Sequence, residues 1–452
     1  MTSRSTLTSN SQSNSIRIPP APASVEQLAT IAFLFGLQSP RPETARVLHL
    51  GFGTASRLLS FAERHPHATV LGVDVSSQRI HEGAAAIARA GVRNAGLRRM
   101  DISDIDASFG TFDYIICHDL YSKVPVSIQD AILRVCARNL APNGVAYIDY
   151  EVHPGWKARE VVRDAMLLDG GAPHADASVA SNALSAFKFF NRLAQPGSFF
   201  HKAIDEVGAL LGSAASAEQA LELTRPPTSP CYFKEFLCRA SVHRLGYLAD
   251  ADVSTMFVQN LPDRMRARLL LDKAKSQVQI EQYLDFFTNR AHRRSLLVRR
   301  ECQSTIRYQL ETERLRQLYF AGMFIPKDAA TRETVTGEQA YDAGGGREVV
   351  LGPPAHRAVV QALTERFPAA IRADRLVHAA AARTGASIPA VEPLVLALLE
   401  ELLISGVVRA SLADPRIAGD IPTCPAALAT VRSDPSLTLA AGASARANNL
   451  AG

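Results

Sequence analysis

The sequence predicts an α/β protein whose main domain is a doubly wound, largely parallel sheet. Three observations carry this. Apolar runs of strand length alternate with helical patterns from residue 46 to residue 150. The first run, Val47–Leu50, breaks at the turn Gly51-Phe52-Gly53, and a helical pattern follows. The second run ends in an acid, Asp74. In a Rossmann-type domain such glycines let the backbone approach a ligand, and the acid at the tip of the second strand accepts hydrogen bonds from ribose hydroxyls. An adenosine-bearing cofactor is the expectation.

The elements follow in order. Residues 1–24 are rich in Ser, Thr, Asn and Pro and are expected to form a disordered tail. Val25–Leu37 reads as an amphipathic helix, Arg46–Leu50 as the first strand, Ala55–His65 as a helix and Thr69–Asp74 as the second strand. Ser76 caps a helix reaching Ala90. Gly96–Met100 is a third strand, ending at Asp101. Thr111–His118 is a fourth, with the continuous apolar character of a central parallel strand. Ser127–Leu140 is helical, Pro142-Asn143-Gly144 a turn, and Val145–Tyr150 a fifth strand. Residues 157–230 lose the strand rhythm and read as a helical insertion. A helix over Tyr232–Arg244 and strands over Gly246–Ala251 and Ser295–Arg299 would close the sheet. The basic run Arg290–Arg300 is expected to be a solvated edge strand with charged ends. Beyond residue 304, helices near 355–365, 373–384 and 390–404 and the run Gly406–Arg409 predict a winged-helix-like unit over 305–415. A flexible tail follows over 416–452.

The bulk numbers agree. A chain of 452 residues exceeds one ordinary core, so two or three domains are expected. A net charge of +5, with bases interleaved among acids, gives no reason to expect a nucleic-acid partner. Six cysteines without a C-x-x-C pair predict neither a metal site nor a disulfide framework. No apolar run has membrane-spanning length, and the first residues lack the apolar core of a signal peptide. A cytoplasmic protein is the expectation.

The type of cofactor follows from two details. A dinucleotide fingerprint needs a glycine three positions after Gly53, where this chain has Ser56. S-adenosylmethionine has no pyrophosphate and asks for fewer glycines. Asp101 beside Ile102 suits an adenine, the carboxylate accepting from the exocyclic amine and the apolar chain covering the ring. Asp101 reads equally as a helix N-cap.

At this point the segments FDYIICHDLYSKVP (112–125), APNGVAYIDY (141–150) and HPGW (153–156) carry a resemblance. They resemble a bacterial class I S-adenosylmethionine-dependent methyltransferase family. Its members carry a methyltransferase regulatory domain, and it includes the rickettsial-type protein lysine methyltransferases. CYFKEF (231–236), GYLADA (246–251) and residues 282–300 are similar to that regulatory segment. The resemblance implies a Rossmann-like class I methyltransferase sheet over residues 25–304, S-adenosylmethionine as cofactor and a protein amine such as lysine as substrate. It implies cofactor contacts at His49, Gly51, Gly53, Asp74, Val75, Asp101, Ile102 and His118. Tyr121, Tyr150 and Trp156 fall on the family's positions around the substrate mouth. The incoming amine is expected over the fifth strand, with His118, Tyr121, Tyr150 and Glu151 as candidates to take its proton. Each of these reads equally as a packing or capping residue.

The chain also departs from the family. His49 stands where the family usually has an acid, and a protonated imidazole there would oppose the cofactor's ammonium group below about pH 6.5. Ala55 replaces a third glycine, Asp119 and Lys123 stand at glycine and tryptophan positions, and Glu151 replaces an asparagine. These departures also admit a degenerate member that keeps the fold as a binding or regulatory module. A Rossmann oxidoreductase is the third reading, disfavoured by Ser56 and Asp101.

Overall fold

The computed structural model describes residues 24–168, 177–211, 229–262, 265–266, 275–327 and 337–414. The stretches expected to be disordered or flexible, 1–23 and 415–452, lie outside the described residues, as do parts of the expected insertion. The chain divides into two compact units at Glu311/Thr312.

The first unit is built on a seven-stranded sheet. Its strands are β1 (Arg46–Leu50), β2 (Thr69–Asp74), β3 (Ala95–Arg99), β4 (Phe112–Cys117), β5 (Leu140–Glu151), β6 (Leu245–Asp250) and β7 (His292–Arg299). Their order is β3-β2-β1-β4-β5-β7-β6. The first five are parallel, and β7 runs antiparallel to both β5 and β6. Val47, Leu48 and Leu50 in β1 and Tyr114, Ile115 and Cys117 in β4 are fully buried, as central strands covered on both faces must be. The helices are α1 (Val25–Leu34), α2 (Ser56–Arg64), α3 (Ser77–Ala90) and α4 (Val126–Asn139). Ser76 Oγ accepts the Arg79 N–H at 3.3 Å, the cap expected for α3.

Two expectations need correction. Pro142-Asn143-Gly144 does not precede β5 but lies within it. The register with β4 jumps from Phe112–Leu140 to Tyr114–Val145, so β5 accommodates the extra residues as an irregularity. The basic strand β7 is not a solvated edge: it lies between β5 and β6, and Arg293 is fully buried. Its guanidinium is neutralised from within. It bonds Asp285 through Nε and Nη2, each at 2.8 Å, and Glu281 Oε2 at 2.9 Å, and it lies 3.7 Å from the centre of the Phe233 ring. Asp250 stands 3.6 Å away. Glu281 and Asp285 come from a helix over Gln277–Phe287 that is far from β7 in neither space nor sequence.

Between β5 and β6 the chain forms α5 (Gly155–Leu167), α6 (Ala177–Leu193), α7 (Phe199–Leu211) and α8 (Phe233–Val242); α9 is the Gln277–Phe287 helix. Helices α5 to α7 share their own apolar cluster of Val162, Met166, Ala183, Phe187, Ile204 and Val207. Helices α4 and α8 cover one face of the sheet with Ile132, Val135, Phe233 and Phe236.

The second unit, described over 312–327 and 337–414, holds two three-stranded sheets. One joins β9 (Ile325–Pro326), β10 (Gln339–Asp342) and β11 (Glu348–Leu351); the other has β8 (Tyr319–Ala321) between β12 (Ile371–Arg372) and β13 (Arg409–Ser411). Its helices are α10 (Thr312–Leu315), α11 (Pro354–Arg366), α12 (Ala373–Thr384) and α13 (Ile388–Ile404). The expected boundary at residue 304 lies inside the first unit, where the Arg307 N–H donates to the Phe35 carbonyl at 2.9 Å. Among the described residues no helix is long and apolar enough to cross a membrane.

Candidate active site

The carboxyl ends of β1, β2 and β3 bring the expected cofactor residues to one rim of the sheet. Gly51 and Gly53 adopt the left-handed region, with φ of 63° and 59°. A Cβ on Gly51 would lie 2.7 Å from Leu120 Cδ2, whereas a Cβ on Gly53 would meet nothing within 4 Å. At Gly53 the turn therefore presents bare backbone to open space, while Gly51 lies close against Leu120. Asp74 is buried; its Oδ1 accepts the Ser76 N–H at 2.9 Å and its Oδ2 pairs with Arg79 at 3.3 Å. Val75, next in the chain, is 57% exposed. Asp101 caps the turn Ile102–Asp104: its Oδ1 accepts the Ser103 N–H at 2.8 Å and the Ser103 hydroxyl at 2.6 Å. Those bonds hold its carboxyl below the usual range. Ile102 is buried beside it. Open backbone at Gly53, a carboxylate at the β2 tip and bare apolar surface at Val75 fit an adenosine group.

His49 lies on β1, buried. Burial, with the charges of Arg57 and His118 adding to it, pushes its imidazole down to about 4. The expectation that His49 becomes a cation below about pH 6.5 is therefore corrected. At neutral pH it is an uncharged ring, and it neither attracts nor repels an ammonium group as a charge.

The tips of β4 and β5 hold a constellation that the sequence reading missed. His49, Ile116 and Tyr147 are register partners across β1, β4 and β5, so their side chains share a face. Two residues further along, His118 and Asp149 share it too. His118 Nδ1 contacts Asp149 Oδ2, Asp149 Oδ1 accepts the Asp119 N–H at 2.6 Å, and the Tyr147 hydroxyl donates to Asp149 Oδ2 at 3.2 Å. Burial pushes the Asp149 carboxyl up, but the bond and charge of His118, the charge of His292 and the Asp119 N–H together hold it below the usual range. An acid within an apolar strand was the available signal.

Tyr121 and Tyr150 lie on the opposite face, which corrects their expected place at a substrate mouth. Strand alternation puts Tyr150 with Ala146 and Ile148 against α4 and α8. Its ring stacks on Phe236 at 4.0 Å and its hydroxyl meets Ser295 Oγ at 3.0 Å. Tyr121 is fully buried, edge-on to Phe236 at 5.3 Å. Both are buried core aromatics. Glu151 does share the face of Asp149. Arg159 feels the charge of Glu151 and lies 5.3 Å over the Trp156 ring. Arg159 thus stacks on Trp156 within the field of Glu206 and Glu151, while Tyr121 and Tyr150 lie on the other face.

Comparison with known proteins decides the family. A family model described as "Methyltransferase domain" matches residues 47–144, and one described as "Predicted methyltransferase regulatory domain" matches residues 220–299. An uncharacterised protein of Rickettsia prowazekii (strain Madrid E) is 35% identical over 214 residues, which cover 47% of this chain and 86% of that protein. The chain belongs to the class I S-adenosylmethionine-dependent methyltransferase family that carries a regulatory domain. A second uncharacterised protein of the same organism is 35% identical over 272 residues, 60% of this chain. The chain spans 49% of that relative's length. A solved structure of PKMT2 from Rickettsia typhi in complex with AdoHcy superposes with a TM-score of 0.75 and 29% identity, covering 86% of this chain and 75% of that one. The regulatory match includes all of β6 and β7, so that stretch completes the sheet.

Proposed function

We propose that this chain transfers the methyl group of S-adenosylmethionine to a protein amine such as lysine. The observation that carries the reading is the rim of β1 to β3, where open glycine backbone, a buried acid and bare apolar surface adjoin. On this reading the Gly51 and Gly53 backbone lies along the cofactor, and Asp74 takes the ribose hydroxyls as the half-exposed Arg79 moves aside. Val75 and Ile102 flank the adenine, and Asp101 accepts from its amine. When bound, the cofactor supplies a sulfonium-activated methyl group. The chain's task is to align a nitrogen lone pair with it, exclude water and remove a proton. Glu151, Arg159 and Trp156 form the rim the protein substrate meets. The likeness to PKMT2 of Rickettsia typhi supports the same reading. We further propose a cytoplasmic location, and a winged-helix-like second unit that holds substrate or partner; its helices α11, α12 and α13 and the sheet β12-β8-β13 support that comparison.

His49 in place of an acid and the Asp74–Arg79 pair favour the second reading, a family member that binds the cofactor without catalysis. Calorimetric titration with S-adenosylmethionine, S-adenosylhomocysteine and NAD separates the readings, with tritiated methyl incorporation into lysate protein beside it. Binding of the first two with incorporation is expected. In Asp74→Ala, loss of the ribose bonds should cost about 1–3 kcal/mol, about tenfold to a hundredfold in affinity. Unchanged affinity in that folded variant overturns the site, and binding without incorporation favours the second reading.

A further inference from the structure

We propose that Asp149 and His118 form a proton-accepting pair: Asp149 is a positioning residue that fixes the His118 ring so that its Nε2 takes a proton from the substrate amine. This rests on the methyltransferase reading above.

The geometry comes from the strands. Asp149 points from β5 to the loop leaving β4, where Asp119 holds a left-handed backbone with φ 54°. Its carboxylate receives three donors: the Asp119 N–H, the Tyr147 hydroxyl and His118 Nδ1. A carboxylate only accepts, so the proton of the neutral ring sits on Nδ1 and Nε2 keeps its lone pair. Accessibility runs the same way. The Asp149 side chain is 1% exposed, whereas that of His118 is 31% exposed. Among the described residues the charged and titratable groups around the pair include His49 from β1, Arg57 from α2, Cys117 at the end of β4, Asp119 and Lys123 on the loop after it, Tyr147 from β5, Asp250 from β6, and His292 and Arg294 from β7. Among the described residues, Asp149 is the hydrogen-bonding partner of His118 Nδ1.

The chemistry needs such a group. An alkylammonium has no free lone pair. Its proton passes to Nε2, giving an imidazolium that the Asp149 carboxylate stabilises. The freed nitrogen lone pair forms the new N–C bond as the C–S bond of the sulfonium breaks and its electron pair returns to sulfur. The imidazolium releases its proton to water from its exposed edge, which restores the ring.

The test has two parts. The first is the imidazole tautomer, read by long-range proton–nitrogen NMR in the ligand-free, histidine-labelled full chain, with His118→Gln to assign the signal. The Nδ1–H form is expected; an Nε2–H form overturns the proposal, and this reading needs no substrate and no folded Asp149 variant. The second is methyl transfer to lysate protein from cells lacking this chain, followed against pH. Asp149→Asn should slow transfer about a hundredfold or more and change the acidic limb of the profile, with S-adenosylhomocysteine affinity within about twofold. Because the two residues act as one unit, the double variant should be no slower than His118→Gln alone. A wild-type pH profile in Asp149→Asn, or additive losses in the double variant, overturns the pair. Failure of the wild-type chain to bind S-adenosylhomocysteine overturns the methyltransferase reading instead, and leaves the tautomer result standing.

Discussion

Acidification reads the burial of His49 directly. Its imidazole titrates at about 4 in the folded chain against about 6.5 unfolded. Between those values the unfolded chain binds the proton and the folded chain does not, so stability falls as pH drops from about 6.5 to about 4. Taking the two values through the linkage relation, the folded state loses about 2 kcal/mol at pH 5 relative to pH 8 from this one residue. Acids such as Asp149 and Asp250, depressed by their partners, add their losses only below the ordinary carboxylate range, so they leave the upper part of this window clear. His49→Gln keeps a neutral polar side chain and removes the proton site. Urea unfolding followed by Trp156 fluorescence is a suitable assay, because that tryptophan is the only one in the chain and lies in the first unit. Between pH 8 and pH 5 the wild type should lose about 2 kcal/mol more than His49→Gln. Equal losses in the two proteins would refute the buried, neutral histidine.

Tyr150→Phe should cost about 1 kcal/mol of stability by orphaning Ser295 Oγ, and should leave both cofactor affinity and transfer rate unchanged; a slowed transfer at wild-type stability returns Tyr150 to the site. Arg293→Met strands Glu281 and Asp285 in the interior, whereas Asp250 keeps Arg290 at 2.9 Å, and the expected loss is about 3–5 kcal/mol in denaturant unfolding. A loss under about 1 kcal/mol would mean that those acids find other partners or take up protons. A chain ending at Glu311 should remain soluble and bind S-adenosylhomocysteine as tightly as the full chain; weakened binding would tie the second unit to the cofactor.

The strands that bear the cofactor rim were legible because burial on both faces demands unbroken apolar runs. Arg46–Leu50 and Thr69–Asp74 stand where the sequence places them, and Asp74 announces itself by ending such a run. The same pattern hides phase. In β5 the residues Tyr147, Asp149 and Glu151 face one way and Ile148 and Tyr150 the other, yet all but the last-named acid are buried. The resemblance therefore drew attention to Tyr150, and hydropathy could not show that it lies on the core face, opposite Asp149. Strand β7 misled for a different reason. Its arginines read as solvated because their counter-charges, Asp250, Glu281 and Asp285, lie outside the strand, and a charge pattern counts residues without pairing them. The charge state of His49 depends on desolvation from several elements at once, which no local window contains.

The placement of β7 between β5 and β6 has a consequence for how this chain can be divided. The stretch matched as regulatory is not a module bolted onto a finished enzyme. Without it β5 would become a bare border, with its ladder of amide and carbonyl groups open to any passing strand and prone to self-association. Gene fusions, truncations or domain exchanges cut between the two matched regions should therefore yield aggregates rather than a minimal transferase. A regulator that tugged on β6 or α9 would be felt through β7 at Asp149, one hydrogen-bonded ladder away.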